Sequence, residues 1–408
     1  MEIMHARCTG LDVHKDSVVA CVRIQQGPQA AYQVRTFGTT TKSLMELNEW
    51  LTEHLVTHVA MEATGVYWKP VWHVLDGTFE LVLANAMHIK NVPGRKTDIN
   101  DATWIADLLA HGLIRSSFVP PTAIQDMRTL MRTRKQLVRE RAQHVQRIQK
   151  TLEDANLKIA SVVSDVTGTS GRAILQAIID GKSNPEELLA TTTGRLRAAP
   201  STLLEALRGC IRPPHRFLLK LHLAQMDALE QSVADIDKEV GALLEPFRAK
   251  AKRLMTIPGI SDVVAQVLVS EIGVDMSRFP TAGHLISWAG LCPRNDESAG
   301  KRRSTRLLPG AGWLKTTLVQ AAWSAARCKS GYLPAQFRRI KSRRGPKKAI
   351  MAVAASILTS AYYILRDDVD YRDLGSDYFD RNDRKKSASR LVKRLSDLGF
   401  TVEIKEAA

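Results

Sequence analysis

Four acidic residues in the first 101 positions, Asp12, Glu62, Asp98 and Asp101, have types and spacing that could do chemistry. Asp12 interrupts an apolar, strand-like run, Thr9-Gly10-Leu11-Asp12-Val13-His14. Glu62 closes another, Val59-Ala60-Met61-Glu62, just before Ala63-Thr64-Gly65. A charge inside an apolar strand is hard to justify structurally, and the carboxyl end of a central strand is where open α/β sheets place their sites. Thr97 or Asp98 can cap a helix, whose face then carries Asp98, Asp101, Ile105 and Leu108 at spacings of three and four. Two acids in a helix's first turn can simply favour its N-terminus. Four that converge repel one another and make sense only around cations. Hard oxygen ligands select Mg2+, with Mn2+ as the other choice. Two such ions about 3.5–4 Å apart can clamp the attacking and leaving oxygens of a phosphodiester.

A second candidate lies near the other end, in Pro293-Arg294-Asn295-Asp296-Glu297-Ser298-Ala299-Gly300-Lys301-Arg302-Arg303-Ser304. Ser298 sits on a small-residue loop among cations. A serine hydroxyl is a poor nucleophile alone, but clustered cations can stabilise both an alkoxide and the charge building on an attacked phosphate. Nothing here resembles a Ser-His-Asp set.

The elements that must position these groups follow from periodicity. Residues 6–13, 17–24 and 32–37 read as three antiparallel strands, the first two split by a hairpin signal at His14-Lys15-Asp16. An amphipathic helix over 42–54, a buried strand over 57–62, a short helix over 66–75 and a strand over 79–83 come next, and the helix opening at Asp98 follows. That order is α/β with a mixed sheet. From 123 to 159 one long helix carries Met131, Val138, Val145, Leu152 and Ile159 at heptad spacing. Between Met127 and Lys150 its polar face holds Arg128, Arg132, Arg134, Lys135, Arg139, Arg141, Arg147 and Lys150 against Glu140 alone. Such imbalance suits a phosphate backbone better than water. A second heptad array, Leu219 to Phe247, fills both seams of a coiled coil; the two helices could pair within the chain or between chains. Thr256-Ile257-Pro258-Gly259-Ile260 resembles the turn of a helix-hairpin-helix, which presents backbone N–H groups to phosphate. Arg338 to Lys348 adds seven cations, Arg343 and Arg344 among them, and no acid; an apolar helix over 349–365 follows, and the tail from Asp367 reads as polar loop up to Arg390.

At 408 residues the chain needs two or three domains. Its formal charge of +16, from 58 Lys and Arg against 42 Asp and Glu, suits a polyanion. No run approaches transmembrane length, and the first residues lack a signal-peptide core, so nucleic acid is favoured over a membrane. Five scattered cysteines without a C-x-x-C pair argue for a reducing cytoplasm and against zinc.

Taken together, Gly10-Leu11-Asp12-Val13-His14-Lys15, Met61-Glu62-Ala63-Thr64-Gly65, Asp98-x-x-Asp101-Ala102, Ile257-Pro258-Gly259-Ile260, Ala289 to Lys301 and Asp373 to Phe379 resemble the DEDD transposases of bacterial insertion sequences, a family of bridge-RNA-guided recombinases. The resemblance implies a RuvC-like domain of the RNase H fold over 1–118, with Asp12, Glu62, Asp98 and Asp101 as its Mg2+ tetrad. It implies a helical coiled-coil linker over 119–250, a mainly α serine transposase domain with the helix-hairpin-helix over 251–366, and a polar tail over 367–408. Ser298 would form a covalent phosphoserine link to DNA. This chain has Glu297-Ser298-Ala299-Gly300 where a Ser-Ser-Gly-Gly-like string is common, and Ser304 is the alternative hydroxyl. A noncoding bridge RNA would pair with donor and target DNA, leaving the protein to hold backbones. The composite centre would form in a homo-oligomer, a dimer or tetramer. Arg128, Arg132, Arg134, Lys135, Arg139, Pro258, Gly259, Lys301, Arg302, Arg303, Arg343 and Arg344 are the expected nucleic-acid contacts. Two other classes fit parts of the chain: a metal-dependent junction nuclease that uses water, and a non-enzymatic scaffold with structural acids.

Overall fold

The computed structural model describes residues 3–63, 65–85, 89, 101–192, 198–294, 296–304, 306–307, 310–381 and 384–402. They divide into two compact units, Met1–Val119 and Pro120–Ala408.

The first unit is built on five strands: β1 (Arg7–Val13), β2 (Ser17–Gln26), β3 (Gln29–Gly38), β4 (His58–Glu62) and β5 (Glu80–Ala84), in sheet order β3-β2-β1-β4-β5. β1, β2 and β3 pair antiparallel, while β4 runs parallel to both β1 and β5. Helix α1 (Thr41–Glu53) starts where the Thr40 hydroxyl accepts from the Ser43 N–H, 3.3 Å away, and α2 is Trp68–Leu75. One sheet face, through Leu11, Val13, Val59 and Met61, packs with Leu44, Leu47, Trp50 and Leu51 of α1 and Val71 and Leu75 of α2. The opposite face, through Cys8 and Ala60, receives α3 (Asp101–Ala110) by way of Ile105, Leu108 and Leu109. This mixed sheet between helices is consistent with the expected RNase H-like arrangement.

The close approach of α3 depends on Gly10. A Cβ there would stand 2.2 Å from the Ala102 carbonyl oxygen and 2.4 Å from the Ala106 nitrogen. Neither backbone atom can yield without moving the helix. Farther along α3, Asp107 accepts from Arg23 Nε at 2.9 Å and from the Tyr32 hydroxyl at 2.7 Å, fastening the helix to β2 and β3. Burial holds the neighbouring Cys8 thiol neutral by pushing its pKa up to about 12.

The second unit is helical. Helix α4 (Thr122–Asp154) ends earlier than the heptad pattern suggests, because Asn156 turns left-handed at φ 55°, so Ile159 falls in a separate short helix. Four short helices follow, α5 (Ile159–Val162), α6 (Thr169–Ile179), α7 (Pro185–Ala190) and α8 (Pro200–Ala206), then a second long one, α9 (Pro213–Leu243). Phe247 lies beyond α9, in a 3-10 turn. α4 and α9 lie side by side and antiparallel within the chain, joined by Arg134–Asp237 and Arg141–Glu230 and by the buried His215, whose Nε2 donates to the Asp154 carboxylate at 2.8 Å. The heptad seam is uneven: Met131, Leu152, Leu219, Met226 and Val240 are buried, whereas Val138 is 42% exposed.

The remaining helices are α10 (Arg248–Leu254), α11 (Asp262–Ile272), α12 (Ala282–Trp288), α13 (Gly312–Ala326), α14 (Tyr332–Arg344), α15 (Pro346–Asp367), α16 (Tyr378–Arg381) and α17 (Arg384–Asp397), with a two-stranded ribbon, β6 (Asp296–Ser298) and β7 (Lys301–Ser304), between α12 and α13. The tail is thus helical from Arg384, earlier than its polar composition implied. Contrary to the run-length expectation, α15 is long and apolar enough to cross a membrane. Over half of that stretch is buried in this unit, where it packs on α12, α13 and α14 as a core helix.

The Gly10 contact sets a stability prediction. Gly10→Val should lower the unfolding free energy of the first unit by about 3 kcal/mol, measured by urea titration, since rigid backbone on both sides leaves overpacking no outlet. A loss under about 1 kcal/mol would show that α3 is not held against β1 there.

Candidate functional site

The acid positions come together through strand register and helix direction. Leu11 pairs with Met61 in the parallel β1–β4 ladder, so the next residues, Asp12 and Glu62, stand side by side at the carboxyl ends of the two central strands. Side chains alternate along a strand. With Leu11 and Met61 facing α1 and α2, Asp12 and Glu62 share the face that carries α3. Helix α3 runs antiparallel to β1. Its last residue, Ala110, accepts from the N–H groups of Met4 and His5 ahead of the strand, and Ala102 lies over Gly10. The N-terminus of α3, opened by Asp101, therefore points to the edge where Asp12 and Glu62 end. Asp98 lies outside the described residues. Asp12 is 24% exposed, with its carboxylate 3.1 Å from His14 Nε2.

The donors at this edge are carboxylate oxygens, the set that Mg2+ or Mn2+ prefers. Among the described residues no three His, Cys, Asp or Glu side chains already form an ion-binding cluster. What the fold supplies is one edge, one face and the positive end of a helix dipole beside it.

The serine candidate ends β6. In the ribbon Ser298 pairs with Lys301, so Ala299 and Gly300 alone make the turn, at φ 50° and 72°. Two left-handed residues are what a two-residue hairpin of this kind requires. Lys301 and Arg303 are exposed; the side chains of Ser298 and Arg302 lie outside the described set. The alternative, Ser304, is half-buried, and its hydroxyl accepts from the Arg306 N–H at 3.2 Å. Below the ribbon the stem continues through Pro293 opposite Leu307 and an Arg294 N–H to Arg306 carbonyl bond of 2.9 Å.

Comparison with known proteins fits both halves. Residues 9–157 match a family model described as a transposase, of the IS110 DEDD type, and residues 251–338 match one described as transposase, IS116/IS110/IS902 family. The chain belongs to the IS110/IS116 family of transposases. It is 22% identical to a pilin gene-inverting protein of Moraxella bovis, over 88% of this chain and 95% of the relative. It is likewise 22% identical to the transposase for insertion sequence element IS1111A of Coxiella burnetii, over 77% of this chain and 79% of that one. The molecule is thus an enzyme of the DNA transposase and recombinase class.

In this transposase the basic face of α4 has partners that its sequence does not disclose. Arg132 forms a two-pronged pair with the buried Glu271 of α11, both contacts 2.8 Å. Arg128 donates to the Ser270 and Glu271 carbonyls at the end of α11, and burial lowers its pKa to about 10. Arg134 is paired with Asp237 of α9. Lys135 donates to the Trp313 carbonyl and to the Thr316 and Thr317 hydroxyls of α13. Arg132, Lys135 and Arg139 also surround the Trp313 ring, 5.5–5.7 Å from its centre. These contacts bind α4 to α9, α11 and α13, and leave Arg139, Arg147 and Lys150 as its exposed cations. Pro258 and Gly259 form a turn between α10 and α11, with Gly259 at φ 89° and its missing side chain facing the α13 backbone, 2.4 Å from the Ala321 carbonyl oxygen. Arg343 and Arg344 are exposed at the end of α14.

Sequence reasoning missed Glu271, Trp313 and the Arg23–Tyr32–Asp107 lock. Glu271 carried a signal, as an acid within the apolar run Val267-Leu268-Val269-Ser270-Glu271-Ile272 that ends α11. The other two carried none.

Two outcomes follow. Glu271→Ala should cost about 3 kcal/mol of stability, because it leaves Arg128 and Arg132 without their carboxylate, whereas Arg139→Ala should stay within about 0.5 kcal/mol; urea denaturation separates them, and equal losses would remove the special role of Glu271. Ala299→Gly should slow amide exchange across 296–304 by about fivefold, since alanine is disfavoured by about 1 kcal/mol in a left-handed turn. Unchanged exchange would mean that the turn is not left-handed at this position.

Proposed function

We propose that this transposase cuts and rejoins DNA through the Ser298 hydroxyl, assisted by a divalent-metal site at Asp12, Glu62, Asp98 and Asp101, with a noncoding bridge RNA selecting donor and target. The observation that carries this reading is the convergence of Asp12, Glu62 and the α3 N-terminus on one sheet edge. A scaffold has no need to gather carboxylates there. A bound Mg2+ would neutralise charge on a scissile phosphate and orient it.

The chain's own residues then do the following. Asp12 and Glu62 would hold the ion from two adjacent strands, whose spacing of about 4.8 Å is fixed by the ladder. Asp101 would add a third oxygen from the helix start, and Asp98 the fourth. Ser298 attacks phosphorus: its oxygen bonds to phosphorus as the bond to a deoxyribose oxygen breaks, and the proton lost by the serine passes through solvent to that departing oxygen. The phosphodiester energy is kept in the phosphoserine link, so a second strand's hydroxyl can reverse the exchange and seal the new joint. Lys301, paired with Ser298 across the ribbon, and the exposed Arg303 supply positive charge for the attacked phosphate.

Guide RNA would pair the DNA strands while protein cations hold backbones. The net charge of +16 and the exposed Arg139, Arg147 and Lys150 support that part. An exchange that breaks and rejoins more than one strand calls for more than one serine, which favours a homo-oligomer. The finer assignments of the middle, a coiled coil in α4 and α9 and a helix-hairpin-helix in α10 and α11, belong to the same reading.

The test is capture of a denaturant-resistant protein–DNA adduct in cells that carry the gene with its flanking DNA. Wild type should give the adduct, Ser298→Ala should abolish it, and Asp12→Asn or Glu62→Gln should lower recombination on the order of a hundredfold. An adduct that survives Ser298→Ala and disappears in Ser304→Ala moves the nucleophile. Metal-dependent cleavage with no adduct in wild type leaves a junction nuclease instead.

A further inference from the structure

The structure puts together the Arg338–Lys348 stretch, which holds the expected contacts Arg343 and Arg344, and the Asp373–Phe379 tail. Asp373 accepts from the Tyr332 N–H at the start of α14, at 3.0 and 3.3 Å, and from the Gly375 N–H at 2.7 Å. Gly331 makes room for it: a Cβ at that position would lie 2.8 Å from the Asp373 carboxylate. Phe379 stacks on Tyr332, ring centres 5.2 Å apart and 22° from parallel, and Arg339 covers Phe379 at 5.3 Å. Arg381 donates to the Leu374 carbonyl and to Asp377, both at 2.9 Å. These contacts fix the tail along α14.

Between α14 and the fixed tail opens a cleft of about 550 Å3 lined by Arg338, Arg339, Arg343 and Arg394, with Ser342 and Ser376. Among the described residues its lining includes no acid, and no carboxylate pairs with any of the four guanidinium groups. Four like charges around one opening repel unless an anion joins them. Guanidinium forks match phosphate oxygens in pairs, and serine hydroxyls add further donors. The neighbouring Lys341, Arg344, Lys347 and Lys348 are all exposed and continue the positive surface beyond the opening. An extended polyanion, rather than a lone phosphate, matches that continuation.

We propose that the cleft between α14 and the C-terminal tail binds the sugar-phosphate backbone of a nucleic-acid strand, with the Asp373–Phe379 segment as the strap that positions Arg394 opposite α14. The inference rests on the reading of this chain as a nucleic-acid enzyme.

Fluorescence anisotropy of the full chain with a labelled 20-base-pair DNA duplex, and separately with a 20-nucleotide single-stranded RNA, across a salt series tests it. Replacing Arg338, Arg343 and Arg394 together by Gln should weaken binding about tenfold and reduce the slope of log affinity against log salt by about 2. The triple Lys variant should recover most of that slope, and unfolding midpoints should be unchanged in both. The arm that loses affinity identifies the strand. Unaltered affinity and slope in both arms, with wild type binding well, overturn the cleft and leave the recombinase reading standing. Wild type that binds neither probe overturns both. Equilibrium dialysis with inorganic phosphate supplies the last arm: phosphate lost by the Gln variant while DNA and RNA binding persist would make the cleft a small-anion site and overturn the proposal.

Discussion

Everything about the acid edge depends on how closely α3 lies on β1. The contact is backbone against backbone, possible because Gly10 has no side chain and because Ala102 and Ala106 are the helix residues above it. A larger residue at any of the three would lift the helix. Its N-terminus, and Asp101 with it, would then move off the edge where β1 and β4 end. Close packing therefore acts here as a positioning device: interiors as dense as organic crystals transmit a displacement of an ångström rather than absorb it. The lock of Asp107 with Arg23 and Tyr32 sets the rotation of the same helix. One contact fixes height and the other fixes turn, and the proposed ion site would need both.

The second unit meets the same demand with charge. Glu271 is buried, and a buried carboxylate is expensive without cations. Arg132 meets it with both prongs, and Arg128 closes the carbonyls of the same helix end. A buried pair of this kind adds little net stability over a well-packed apolar one, but it tolerates little slippage between α4 and α11. Trp313 adds a flat face to which three cations of α4 are drawn, so α13 takes its place relative to α4 as well. The result is a set of helices registered by ion pairs and cation–π contacts, in a unit whose long helices have an uneven apolar seam.

How far the sequence discloses this follows from the range of each interaction. The strands of the first unit show in alternation, a local signal, and their observed limits fall within about three residues of the expected ones, the largest shift being at the start of β3. Asp12 and Glu62 could be singled out because an acid in an apolar strand is anomalous wherever it occurs. The reason they adjoin, the Leu11–Met61 register, spans fifty residues and appears only in three dimensions. The basic face of α4 is the instructive case. Its cations are plain in the sequence, but the carboxylate and tryptophan that engage them lie more than a hundred residues away, so a face that reads as open to phosphate is in good part an internal contact. The end of α4 was missed for a different reason. A heptad pattern reports which face is apolar, and carries no term for the left-handed Asn156 that stops the helix.

The two reactive candidates sit on supports of opposite character, and the difference suits a strand exchange. Asp12, Glu62 and Asp101 stand on two paired strands and a helix clamped to them at Gly10 and Asp107. Ser298 ends a short ribbon whose turn holds an alanine in a left-handed conformation, a position that glycine fills without strain. A metal-organising site gains from rigidity, because it must offer the same geometry to every phosphate that enters. A nucleophile that attacks one strand and then releases its phosphate to another must serve two backbones in turn. On the proposed reading, a slender, mildly strained ribbon suits that task better than a packed helix would.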